Sequence, residues 1–435
     1  MTRSAEAATP ELTPFARMKA ILGGSAGNLV EWYDWFAYAA FTLYFAPQFF
    51  PKGDQTVQLL QAAAVFFLGF VARPIGAWLM GLYADHAGRR AALSISVALM
   101  CAGALIIAVT PGYAMIGLWA PAILLLARIL QGLSVGGEYG ASATYMSEMA
   151  GKTHRGFWSS FHYVTLIAGQ LLALGVLIVL QRTLDTAALS AWGWRVPFVI
   201  GAILAVVVFW IRTGLDESVS YRNAKAAGAE KARTSMLILR HPREALLIMG
   251  LTAGGSLTFY VYTTYMQKFL VNTSGFSKAV ASEISAVSLI AFLLLQPVAG
   301  WLSDRVGRKP MLILAFGGGV LTIWPIMNGI AHTTSAATAL MLILAGVTFQ
   351  SAYTSISAVV KAELFPAHIR ALGVALPYAL ANVVFGGTAE MAALAFKSSG
   401  IESAFYLYVA AVMSLGLLCA ILLKDTGKHS KIIED

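Results

Sequence analysis

Charge is what this sequence has least of. Lys, Arg, Asp and Glu make up 12% of its 435 residues, about half the ~25% of an ordinary soluble domain, which excludes a string of water-soluble domains. Its two cysteines, Cys101 and Cys419, each fall inside an apolar segment, which argues against a disulfide framework. No G-x-x-x-x-G-K-[ST] loop is present, so ATP is not the expected energy source. Neither a metal nor another cofactor is expected. The first 18 residues hold Arg3, Glu6, Glu11 and Arg17, with no small-residue cleavage site after a short apolar core. No cleaved leader is expected.

What the chain has in excess is hydrophobicity: 58% of residues are hydrophobic and the mean hydropathy is +0.72. Apolar segments recur along it, each near the ~20 residues that cross a bilayer. They predict spans at 19–46, 57–82, 92–110, 118–141, 157–180, 194–213, 244–270, 283–302, 311–331, 336–360, 371–395 and 402–423. Helices are expected, because each segment must satisfy its backbone hydrogen bonds internally. The chain therefore reads as an all-α membrane protein of twelve transmembrane helices whose main surroundings are the lipid bilayer.

Lys and Arg gather in the amino-terminal tail, in the loops 82–91, 151–156, 214–243, 303–309 and 361–370, and in the carboxyl tail. The alternate loops hold Lys52, Arg182, Lys278 and Lys397. Both termini are accordingly expected in the cytoplasm. The net charge of +9 is then largely topological, and no nucleic-acid partner is expected.

The two halves repeat. Gly81-Leu-Tyr-Ala-Asp85-His-Ala-Gly88-Arg89-Arg90 after the second span returns as Gly300-Trp-Leu-Ser-Asp304-Arg-Val-Gly307-Arg308-Lys309 after the eighth, 219 positions on. Glu148 and Arg155 return as Glu363 and Arg370, 215 positions on. The organisation expected is a six-helix half at 19–213, a cytoplasmic connector at 214–243 and a second half at 244–424. Such halves alternate access by rocking about a central site. Gly81, Asp85, Gly88, Arg89, Asp304 and Arg308 then become gating candidates, in turns whose charges can pair across the halves in one state only.

These motifs resemble the major facilitator superfamily over about residues 19–424. The stretch Gly27-Asn28-Leu29-Val30-Glu31-Trp32-Tyr33-Asp34-Trp35-Phe36-Ala37-Tyr38 is similar to a signature of its metabolite:proton symporter branch, which includes permeases for α-ketoglutarate, citrate, proline and betaine. FYVYTTYMQKFLVNTSG, LLARILQGLSVGGEYGASATYMSEMA and AYTSISAVVKAELFPAHIRALG resemble the α-ketoglutarate permeases of that branch. The resemblance implies a non-enzymatic transporter of the bacterial inner membrane, working as a monomer and importing a small dicarboxylate together with protons. Citrate or another organic acid is the alternative, ahead of proline or betaine.

A charge at the centre of a spanning helix costs about 2.5–3.5 kcal/mol on insertion scales, so such residues are functional candidates. Glu31 and Asp34 stand at i and i+3 in span 1, on neighbouring positions of one face. With Glu138 and Glu390 they are the proton-coupling candidates, although either acid of span 1 could instead pair with Arg73. Arg73 and Arg128 are the expected anion anchors, because a planar guanidinium holds a carboxylate through two parallel hydrogen bonds. Arg128 opens Arg128-Ile-Leu-Gln131-Gly132, which resembles the superfamily's R-x-x-Q-G element and adds Gln131. His162 of span 5 is a further candidate. The second half offers the neutral donors Tyr260, Thr264, Gln267, Thr354 and Asn382.

Gly23-Gly-Ser-Ala-Gly27 and Gly132-Leu-Ser-Val-Gly136 fit G-x-S-x-G. That motif marks a hydrolase only on a strand, turn and helix. Inside membrane helices, small residues serve close packing instead.

Overall fold

The computed structural model describes residues 14–87, 89–136, 153–213 and 240–432, with the single positions 143, 147 and 237. Among the described residues every regular element is helical. Twelve long helices follow one another in the described residues. The first six are α1 (Pro14–Phe49), α2 (Gln55–Ala87), α3 (Arg89–Val109), α4 (Trp119–Gly136), α5 (Phe161–Thr183) and α6 (Val196–Thr213). A short helical turn, Arg155–Ser159, leads into α5.

In the second set, α7 is Pro242–Tyr260, continued through a π turn Val261–Tyr265 into Met266–Asn272. Next come α8 (Lys278–Val306), α9 (Arg308–His332) and α10 (Ala336–Glu363). The eleventh, α11, is Ala367–Ala381, a π turn Asn382–Gly386 and then Ala389–Ser398, and α12 is Glu402–Leu422.

The duplication read from the turn motifs is also a duplication of packing. In the first set α1 packs on α5, α2 on α4, and α3 on both α4 and α6. In the second set α7 packs on α11, α8 on α10, and α9 on both α10 and α12. Across the sets, α2 meets α11 and α5 meets α8.

The described part of α1 is buried almost throughout, as is α7 from Gly250 to Leu270. The outer helices instead expose large apolar side chains such as Val109, Val206, Leu321 and Leu407, as helices facing acyl chains must.

Two boundaries differ from expectation in an informative way. Span 10 was expected to end at 360, yet α10 runs to Glu363 with Lys361 and Glu363 both buried. The turn between α8 and α9 narrows to Gly307, whose φ of 98° lies where a side chain would be strained. The connector expected at 214–243 falls outside the described residues up to 236.

Candidate functional site

Glycines bring α2 and α4 together at the arginines. A Cβ on Gly132 would meet the Gly69 carbonyl, and one on Gly136 would meet the Arg73 carbonyl. The Gly132-to-Gly136 stretch is thus a packing seam, as the sequence implied.

That seam places Arg73 and Arg128 against one residue of α1. Arg73 Cζ lies 3.8 Å from the Trp35 ring and Arg128 Cζ lies 4.0 Å from it. Arg73 also lies over Phe70 at 4.2 Å, and Arg128 over Tyr38 at 4.6 Å. Both arginines are buried. Aromatic faces offset part of the cost of desolvating a guanidinium, roughly 2 kcal/mol per contact.

The two carboxylates of α1 act on different arginines. Gln131 Nε2 donates to Asp34 Oδ2, while Gln131 Oε1 accepts from Arg128 Nη1 at 2.6 Å. Asp34 therefore reaches Arg128 through one amide. Its other oxygen, Oδ1, is buried without a hydrogen bond and lies 2.5 Å from where a Cβ on Gly201 of α6 would be. Glu31 instead acts electrostatically on Arg73. Asn28, on the same face, donates to Thr165 at 3.1 Å and accepts from the Trp32 indole at 2.9 Å, which ties α1 to α5.

The arginines are incompletely satisfied. Nε and Nη2 of Arg73, and Nε and Nη2 of Arg128, are buried and have no hydrogen-bond partner. Charged donors left this way are expensive. Two forks with open N–H groups beside one tryptophan suit a ligand bearing carboxylate oxygens.

The second half closes over them. Tyr260 is within electrostatic reach of the Arg73 guanidinium, its ring packs on Phe70 at 5.3 Å, and the ring and Asn382 Oδ1 both lie against Gly386. Tyr260 immediately precedes the π turn of α7, and Asn382 begins that of α11. Such turns interrupt the regular ladder and are frequent at functional sites.

Next to them, a cavity lined by Phe36, Gln170, Thr263, Thr264, Gln267 and Ser285 has about 10 Å³ of water-accessible space, room for roughly one water. Gln170 donates to the Thr263 carbonyl at 2.9 Å across the halves, and Gln267 donates to Ser282 at 3.0 Å. Anything larger than one water enters this space only if its lining moves apart.

Other candidates lie elsewhere. Thr354 donates to Gln296 at 2.8 Å, within the packing of α8 on α10. His162 is fully buried beside Tyr163 and senses the charge of Lys361. Glu390 is buried 2.6 Å from Lys268 Nζ. Lys268 was not singled out in the sequence, although a lysine inside an apolar run was the available signal. Glu138 and Gly88 lie outside the described residues, as do the side chains of Asp85 and Arg89.

At the cytoplasmic end the halves are pinned together. Asp304 of α8 accepts from the backbone N–H of Gly156 at 2.7 Å and of Phe157 at 2.9 Å, both in the turn leading into α5. Arg308 donates to the same carboxylate at 2.8 Å. Glu363 of α10 lies 3.7 Å from both Arg155 and Arg308 and accepts from Thr426 at 2.6 Å. At the opposite end Gln181 of α5 donates to Ser282 of α8 at 3.1 Å, and Lys278 donates to the Leu43 carbonyl of α1 at 2.9 Å. Contacts at both ends around so small a central space make this a closed arrangement.

Two six-helix halves clamped at both ends around buried charges define a membrane transporter that works by alternating access. Residues 20–242 match the family described as "Sugar (and other) transporter", and residues 256–434 match the Major Facilitator Superfamily. The chain belongs to the major facilitator superfamily.

It is 51% identical over 420 residues to the alpha-ketoglutarate permease of Escherichia coli K12, covering 96% of each chain. It is 32% identical to a citrate-proton symporter of Salmonella typhi, covering 94% of each. Among solved structures, a partially occluded inward-open xylose transporter XylE from E. coli superposes with a TM-score of 0.71 at 22% identity, covering 93% of this chain and 96% of that one. That likeness concerns the fold.

Proposed function

We propose that this protein imports α-ketoglutarate, or a closely related dicarboxylate, with protons across the bacterial inner membrane, working as a monomer. One observation carries the reading: two buried guanidiniums, each with two open N–H-bearing nitrogens, flank Trp35. Identity of 51% to an alpha-ketoglutarate permease supports it. In this account Arg73 and Arg128 take the carboxylates, and Tyr260 and Asn382 complete the site from the second half. Asp34, joined to Arg128 through Gln131, takes up a proton as the anion arrives, since the arginine then has a new anionic partner and supports the Asp34 charge less. The halves 19–213 and 244–424 rock about this site, and the connector 214–243 joins them.

Citrate is the second reading, favoured by the 32% identity to a citrate-proton symporter. Uptake of labelled α-ketoglutarate and of labelled citrate into vesicles, each with and without an imposed proton gradient, tests both. The expected result is gradient-driven accumulation of α-ketoglutarate, with citrate competing poorly. Accumulation of citrate alone would transfer the assignment to the second reading.

A further inference from the structure

The buried pair Lys268–Glu390 lies outside the arginine site, and both partners stand just beyond a helix interruption. Lys268 is in the segment Met266–Asn272, after the π turn Val261–Tyr265. Glu390 is in the first turn of Ala389–Ser398, after the π turn Asn382–Gly386. Their 2.6 Å contact therefore joins the outer segments of two broken helices of the second half. Both are at most 5% exposed, and Glu390 Oε1 has no hydrogen bond.

The first half lies close by. Tyr38 of α1, under Arg128, is within electrostatic reach of Glu390, and Gly387 abuts Phe70 of α2. The titratable groups around Glu390 are Lys268 and Tyr265 of α7 and Tyr38 of α1. From α12, Glu402 and Tyr406 act on Tyr265, and Glu402 is itself paired with Lys397 at 3.2 Å.

Charge balance gives the pair a task. Among the described residues the buried charges near the tryptophan and the cavity include three cations, Arg73, Arg128 and Lys268, and three carboxylates, Glu31, Asp34 and Glu390, while a fourth cation, Lys361 of α10, lies 4.3 Å from the Tyr378 ring. In these six groups each cation already has a carboxylate to set against it, so a dianion brings two charges that they do not compensate into a medium where each is costly. One proton on α1 removes one of them.

We propose that Glu390 takes the second proton and that Lys268, released from it, becomes the second half's ligand for a substrate carboxylate. The proton adds to the Glu390 carboxylate and the lysine remains an ammonium ion, so no other group need change. The site then has a cation in each half, and the substrate can hold both together. This rests on the dicarboxylate reading above.

The test measures, on the purified full chain, α-ketoglutarate affinity across pH and the protons taken up on binding, read with an indicator dye. The unaltered protein is expected to take up one proton more per bound substrate than Glu390→Gln. The variant's affinity should lose one tenfold-per-pH-unit component of its fall with rising pH. Lys268→Met should weaken binding about tenfold or more. Normal binding with an unchanged proton count in Glu390→Gln overturns this proposal alone. Failure of the unaltered protein to bind α-ketoglutarate brings down the substrate reading, and this proposal with it. If Glu390→Gln does not fold, Glu390→Asp keeps the acid but withdraws it from Lys268, and the pH midpoint of binding should move. An unmoved midpoint contradicts the proposal.

Discussion

Asp304 and Gly156 belong to different halves, and the Asp304 carboxylate accepts the Gly156 backbone N–H at 2.7 Å. The same acid takes Phe157 N–H of the first half and an Arg308 N–H of its own half, and with the Glu363–Arg155 pair at 3.7 Å it holds the cytoplasmic end shut. Replacing Asp304 by Asn removes the charge and leaves a single acceptor oxygen. The cytoplasm-closed form should lose about 1–3 kcal/mol. The maximal transport rate is expected to fall about tenfold, with the half-saturation concentration changing less than threefold. Asp85→Asn, its repeat mate, should behave alike. Initial-rate kinetics in proteoliposomes decide: an unchanged maximal rate with a raised half-saturation concentration contradicts the gating role.

Closure also depends on two glycines. A Cβ on Gly156 would stand 2.6 Å from the Gly300 carbonyl, and one on Gly300 would stand 2.5 Å from the Gly156 carbonyl. Both neighbours are backbone and cannot yield cheaply. Gly156→Ala and Gly300→Ala should each favour the cytoplasm-open form, detected as faster labelling of a cysteine introduced on the cytoplasmic side. Labelling at the unaltered rate would show that the seam adapts.

Arg128→Lys and Arg73→Lys keep the charge but lose the planar fork and much of the stacking on Trp35. Each should weaken substrate binding by about tenfold or more. Calorimetric titration of either lysine variant giving an unchanged dissociation constant removes that arginine from the site.

Asp34→Asn cannot release a proton, yet its amide can still meet Gln131. Proton-driven accumulation should be lost while exchange of labelled for unlabelled substrate persists. Accumulation at the unaltered level in the variant excludes Asp34 from coupling.

Much of this was legible in the sequence, for a physical reason: a charge inside an apolar run stands out. That is how Glu31, Asp34, Arg73, Arg128 and Glu390 came to notice, and the repeated Gly-to-Arg turns disclosed the two halves. Other features leave no local trace. Trp35 reads as one aromatic among many until two arginines from other helices converge on it. The π turns at Val261 and Asn382 depend on how α7 and α11 pack. Lys361 and Glu363 end an apolar run and so suggest a loop, but Glu363 is held within the helix by partners as remote as Arg155 and Thr426. Asp34's link to Arg128 runs through Gln131, and spacing within one helix does not disclose an amide arriving from another.

The central claim, that a dicarboxylate dianion enters with protons through this site, has a thermodynamic consequence. Moving one charge through 100 mV is worth ~2.3 kcal/mol, so a dianion entering a negative-inside cell is opposed by about 4.6 kcal/mol at that potential. One proton leaves a net negative charge moving inward, and a pH gradient adds only about 1.4 kcal/mol per unit for each proton. At least two protons per dianion are expected. The direct measurement clamps the membrane potential of proteoliposomes and finds, at two pH gradients, the voltage at which a fixed α-ketoglutarate gradient gives no net flux. Reversal voltages fitting two or more protons per dianion are predicted; voltages fitting one proton, or none, would contradict the account.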